Sequence, residues 1–129
     1  MYPTAFDYVA PTSVEETLAI LADGGEDVKV LAGGQSLIPL MKLRLATPAV
    51  LIDVDRLDDL DFVRDGGDHI AVGARTRLGA VQQSTLLQSQ VPILAHAAGQ
   101  VGDPQVRHRG TIGGSLAHAD PASDLPAVM

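Results

Sequence analysis

The sequence predicts an α+β fold of two lobes, the first over residues 1–55 and the start of a second over residues 56–129. Three observations point there. Up to Asp55, short apolar runs of strand length alternate with one well-capped helical pattern, the spacing of crossover units that favour parallel strands. After Asp55 the pattern changes to a hairpin signal followed by helical segments. A double glycine after an apolar run occurs once in each part, at Leu31-Ala32-Gly33-Gly34 and at Thr111-Ile112-Gly113-Gly114.

Taken in order, Phe6 to Ala10 reads as a short strand ended by Pro11. Thr12 or Ser13 caps a helix whose first turn holds Glu15 and Glu16, at the positive end of the dipole. Val14, Leu18 and Leu21 form its apolar stripe, and Gly24-Gly25 stops it. Val28, Val30 and Leu31 form a strand running straight into Gly33-Gly34. The segment QSLIPLMKLRL predicts a helical turn interrupted by Pro39, and Ala49 to Val54 a third, buried strand. In the second part, Asp65-Gly66-Gly67-Asp68 sits between two short strands as a hairpin turn. One helix is expected over Leu78–Leu87 and another through VPILAHAAGQVG. The stretch from Gln105 to Pro126, punctuated by glycine and proline, reads as loop. The chain stops at DLPAVM, inside what reads as the start of an apolar helix (Leu125, Val128, Met129), so a longer protein is expected.

Composition narrows the function. With 46% hydrophobic and 19% charged residues, the 129-residue chain can build a core. Nine basic against sixteen acidic residues give a net charge of −7, which argues against nucleic-acid binding and against anionic membrane surfaces. There are four aromatics, too few for a base-stacking platform. No apolar run reaches the length of a membrane span, so no membrane insertion is expected. The first residues carry no basic-then-apolar leader pattern, which makes a cytoplasmic location the expectation. There is no cysteine, hence no disulfide, thiolate nucleophile or cysteine-held cluster on this chain.

The first candidate site is Ala32-Gly33-Gly34-Gln35-Ser36. Glycines after a strand let a ligand approach the main chain, and successive amides ahead of a helix form an anion nest. These are the parts needed to hold a pyrophosphate without a cation, though a plain strand-to-helix turn has the same composition. The segment is neither GxGxxG nor GxxxxGK[ST]. The second candidate is Thr111-Ile112-Gly113-Gly114-Ser115, also Gly-Gly before Ser, and coincidence in a glycine-rich chain is the competing reading. The third is Asp124, whose carboxylate suits ligand hydroxyls or a helix N-cap. His118, Asp120 and Asp124 lack a helix-spaced histidine pair, so the metal reading is set aside. Arg107, His108 and Arg109 fit either a phosphate neighbour or a solvated loop. No triad, carboxylate pair or HExxH occurs, so no catalytic residue is assigned and the chemistry falls to a cofactor.

KVLAGGQSLIPLMKLRLATPAVLIDV followed by RGTIGGSLAHADPASDLPAVM resembles the FAD-binding (medium) subunit of the molybdenum hydroxylases, the carbon monoxide dehydrogenase and xanthine dehydrogenase relatives. The likeness runs along essentially the whole chain, and the two glycine motifs lie about eighty residues apart. It implies a two-lobed FAD-binding domain of the vanillyl-alcohol-oxidase type, first lobe complete and second truncated, with FAD between them. Carried over, Ala32, Gly33, Gly34, Gln35 and Ser36 would contact the pyrophosphate, with Lys29 and Leu37 close by. Thr111, Gly113, Gly114 and Ser115 would contact the cofactor from the second lobe, and Asp124 would lie near the ribityl chain. Ser115 stands where many relatives have Asn. The resemblance further implies an oxidoreductase flavin subunit in a heteromeric complex. Its partners would be an iron–sulfur small subunit with 2Fe–2S clusters and a molybdopterin large subunit, from which electrons reach FAD and then an acceptor. The family's flavin subunits are longer, so this piece alone is expected to be inactive. A non-redox nucleotide- or phosphate-binding module and a non-catalytic interaction fragment are the alternatives.

Overall fold

The computed structural model describes residues 1–129, which divide into two compact units, Met1–Asp58 and Asp59–Met129.

The first unit is built on a three-stranded parallel sheet. Strands β1 (Asp7–Val9), β2 (Val28–Leu31) and β3 (Val50–Asp53) lie in the order β1-β3-β2. The apolar run of β3 takes the central place, and Leu51 and Ile52 are fully buried there. Tyr8 and Lys29 flank Leu51 in register, and Leu31 pairs with Asp53. Parallel neighbours need crossovers, and the intervening helices provide them.

Helix α1 (Val14–Gly24) starts as its sequence predicts: the Ser13 hydroxyl accepts the Glu16 amide at 3.1 Å, and the Glu16 carboxylate accepts the Thr12 amide at 3.0 Å. Its buried stripe is a correction. Leu18 is exposed, and Thr17 is buried in its stead. A spacing of three residues from Val14 places Thr17 on the inner face, and its hydroxyl is satisfied locally by donating to the Ser13 carbonyl at 2.9 Å. Helix α2 (Leu37–Lys42) also corrects the expectation, because Pro39 does not interrupt it. Pro39 is the third helical residue, where the amide has no intrahelical acceptor to lose. The helix closes with paired bonds from Arg44 N to Met41 O (3.0 Å) and from Leu45 N to Leu40 O (2.9 Å), a Schellman motif. Arg44 takes its left-handed position, at φ +57°, with its guanidinium over the Tyr2 ring.

The second unit opens with the expected hairpin, β4 (Val63–Asp65) and β5 (Ile70–Val72), whose turn is tied by the Gly67 amide donating to Asp65 Oδ1 at 2.8 Å. The single helix expected over Leu78–Leu87 is two. α3 (Leu78–Gln83) ends at Ser84, and Ser84 then caps α4 (Thr85–Gln90) through the Leu87 amide. α5 (Pro92–Gln100) follows. The expected loop from Gln105 is mostly helix: α6 (Pro104–Arg109) and α7 (Ile112–His118). Both are short and end-capped, α6 by Asp103 with proline at the first helical position and α7 by Thr111. The core joins Leu78, Val81, Leu87, Leu94, Ala98, Ile112 and Leu125. No helix is long and apolar enough to cross a membrane.

Candidate cofactor site

The first glycine segment leaves the end of β2 and enters α2. Gly34 has φ +73°, a conformation that a side chain disfavours, and an added Cβ would lie 2.6 Å from Ile38 Cδ1. Gly33 is buried, Ala32 and Leu37 are half-buried, and Lys29, Gln35 and Ser36 are exposed. The Gln35 side-chain amide folds back toward Gly33 O at 3.4 Å. Ser36 caps α2 by position only, its hydroxyl making no cap bond.

The main chain carries the chemistry of this segment. The Ile38 amide donates to Gly34 O at 3.2 Å, but none of the amides of Gly33, Gly34, Gln35, Ser36 or Leu37 has a protein acceptor. Main-chain donors are obligatory hydrogen-bonding groups. Five in succession, beginning at a buried glycine, are left without a protein acceptor, and neutral main-chain donors suit phosphate oxygens. A pyrophosphate fits this donor set.

The second glycine segment differs. Thr111 is buried and pairs with Arg77 in an antiparallel bridge, secured by Leu78 N to Gly110 O (2.9 Å) and Ile112 N to Thr76 O (3.1 Å). Gly113 donates to Ala74 O at 2.8 Å, Gly114 to Thr111 Oγ1 at 3.1 Å, and Ser115 to Thr111 O at 3.1 Å. Every first-turn amide of α7 is therefore spent inside the protein. The expectation of a second glycine loop is corrected: this is a capped helix start, with no free amide nest. Gly113 is required by close packing, since a Cβ there would meet Ala74 O at 2.6 Å and Ala74 Cα at 2.9 Å. Gly114 is exposed and Ser115 half-buried, so what the turn offers a ligand is a bare glycine surface and a hydroxyl.

Asp124 is exposed at the start of a 3₁₀ turn, Leu125–Ala127, and makes no cap bond. Arg107 donates to Val101 O and Gly102 O, at 3.2 and 3.3 Å, so it holds the end of α5. Arg77 likewise donates to Arg109 O. Sequence reasoning missed one pair: Tyr8 OH donates to Asp53 Oδ2 at 2.6 Å, at the carboxyl end of the sheet. Forty-five positions separate them, and only the strand pairing brings them together.

The first unit thus carries a glycine-led run of amides without protein acceptors at the end of a parallel strand, and comparison with known proteins gives the class. The family described as the FAD binding domain in molybdopterin dehydrogenase matches residues 4–129, and the chain belongs to that family. It is 49% identical over all its length to the alpha subunit of the 6-hydroxypseudooxynicotine dehydrogenase complex of Paenarthrobacter nicotinovorans, covering 44% of it. It is 48% identical to the carbon monoxide dehydrogenase medium chain of Hydrogenophaga pseudoflava, over 99% of this chain and 45% of that one. The solved carbon monoxide dehydrogenase from that organism superposes with a TM-score of 0.97 over 99% of this chain and 45% of that one. Quinoline 2-oxidoreductase from Pseudomonas putida 86 superposes at 0.95 with 38% identity, over 100% of this chain and 45% of that one. The chain thus spans less than half the length of these relatives. The fold is the mixed helix–strand FAD-binding domain of the carbon monoxide dehydrogenase medium chain.

Proposed function

We propose that this chain is the FAD-binding portion of the flavin subunit of a molybdenum hydroxylase. The observation that carries this is the run of uncommitted amides from Gly33 to Leu37, within a family whose defining domain binds FAD. Those amides would hold the pyrophosphate, aided by the Ser36 hydroxyl, with Ala32 giving close approach and Lys29 exposed nearby on β2. In the second unit the contacts would come from the Thr111 hydroxyl, the surface of Gly113 and Gly114, the Ser115 hydroxyl and the Asp124 carboxylate. The two units would be the first lobe and part of the second lobe of a vanillyl-alcohol-oxidase-type domain. FAD held there would supply the electron-carrying redox chemistry. The chain's own residues bind and orient it, and none is assigned a proton transfer.

In the complete enzyme, electrons would come from a molybdopterin large subunit by way of a small subunit carrying 2Fe–2S clusters, and leave to an acceptor. The lack of cysteine supports that division of labour, since no cluster needs to reside here. A cytoplasmic location is part of the same proposal. The test is flavin retention: protein purified with FAD should show the flavin absorbance band and release FAD on denaturation. A folded chain that takes up no FAD at saturating concentration overturns the assignment.

A further inference from the structure

Asp53 is the last residue of β3 and the register partner of Leu31, the last residue of β2. It therefore stands beside the point where the chain enters the glycine segment. Its carboxylate is held in place from two sides, Oδ2 by the Tyr8 hydroxyl at 2.6 Å and Oδ1 by the Asp55 amide at 2.9 Å. A carboxylate has about four acceptor sites, so each oxygen keeps capacity for a further donor. Asp53 is half-buried and Tyr8 is 57% exposed, which leaves the pair accessible at the rim of the sheet. Hydrogen bonding to Asp53 raises the Tyr8 pKa, as do desolvation and the Asp53 charge, so the phenol keeps its proton and stays the donor. A tyrosine–aspartate clip from β1 to β3 would need only one oxygen and no accessibility.

In open parallel sheets, ligands sit beyond the carboxyl ends of the strands. In dinucleotide-binding sheets of the GxGxxG kind, a glycine loop takes the pyrophosphate and a carboxylate about twenty residues on takes the ribose hydroxyls. The same juxtaposition is built here from a different glycine motif and a different strand order. We propose that the Asp53 carboxylate, oriented by Tyr8, accepts the ribose hydroxyls of the adenosine half of the dinucleotide and so sets preference for a ribonucleotide. This rests on the flavin reading. Asp53 is a binding residue in it and Tyr8 a positioning residue.

The test compares ADP with 2′,3′-dideoxy-ADP, which keeps the pyrophosphate and base and lacks both hydroxyls. Calorimetric titration of the unaltered chain should show ADP binding about tenfold or more tightly, as for hydrogen bonds to a charged acceptor. Asp53→Asn should bring the ratio close to unity while dideoxy-ADP affinity holds, and Tyr8→Phe should give an intermediate ratio. A merely structural clip would weaken both nucleotides equally. The proposal is overturned if the unaltered chain binds both equally, a measurement that needs no variant to fold. It is also overturned if folded Asp53→Asn keeps the full ratio. Failure of the unaltered chain to bind either ADP or FAD would instead overturn the flavin reading, and this proposal with it.

Discussion

At Gly34 the backbone and the site make the same demand. A residue with a Cβ at φ +73° costs about 1–2 kcal/mol, and the nearby Ile38 side chain must also move. Gly34→Ala should therefore lose about 1–2 kcal/mol or somewhat more in urea denaturation and still fold. Gly34→Val should lose more, and also FAD retention, read from the flavin absorbance. Tyr8 supplies a pH prediction. Its folded-state pKa is raised, so its contribution to stability is complete below the unfolded value near 10 and is lost as pH rises through the folded value. Denaturation midpoints should fall above about pH 10, and more steeply than in Tyr8→Phe. The positive-φ turn at Gly34 was legible as a glycine position because few residue types serve there. Which amides were free was not, since that depends on partners such as Ala74 and Thr111 that no spacing reveals.

At the scale of elements, the start of α7 does structural work that the sequence reading gave to a loop. The Thr111 hydroxyl caps the Gly114 amide, so Thr111→Val should cost about 0.5–2 kcal/mol of stability, measured by thermal or urea unfolding. Gly113→Ala should be destabilising by about 1–3 kcal/mol, because the Ala74 backbone must shift. Both residues also belong to the proposed FAD contacts, so FAD affinity should fall in each variant as well, read by flavin titration beside the melts. The strands of the first unit were readable because their apolar runs are bounded by proline and glycine. α6 and α7 were not, since six- and seven-residue helices carry too few turns for a periodic stripe. Their caps were the available signal: Asp103 before Pro104, and Thr111 three residues ahead of the amide it binds. In α1 the inward position falls on Thr17, which an apolar pattern alone does not mark.

At the scale of the molecule, a chain of net charge −7 is proposed to take up an anionic cofactor. Neutral amides make this workable, because they need no basic patch and release few counterions. FAD affinity should stay flat or rise slightly as ionic strength goes from about 0.02 to 0.3 M, since salt screens the overall repulsion. A steep fall across that range would mean that lysine or arginine holds the phosphates instead. Bound FAD should also raise the melting temperature by mass action, by about 2.7 kcal/mol of stabilisation at a hundredfold excess over Kd.

The uncommitted amides from Gly33 to Leu37 bear on how this protein can vary. Recognition by the main chain is almost blind to side-chain identity, so Gln35 should be exchangeable for other small or polar residues at little cost to binding, whereas Ser36 would lose only the aid of its hydroxyl. The information resides in the path of the backbone, and Gly34 is where that path is most constrained. Mutational scanning of this segment should therefore return a tolerant stretch around one intolerant glycine, a profile easily mistaken for an unimportant loop.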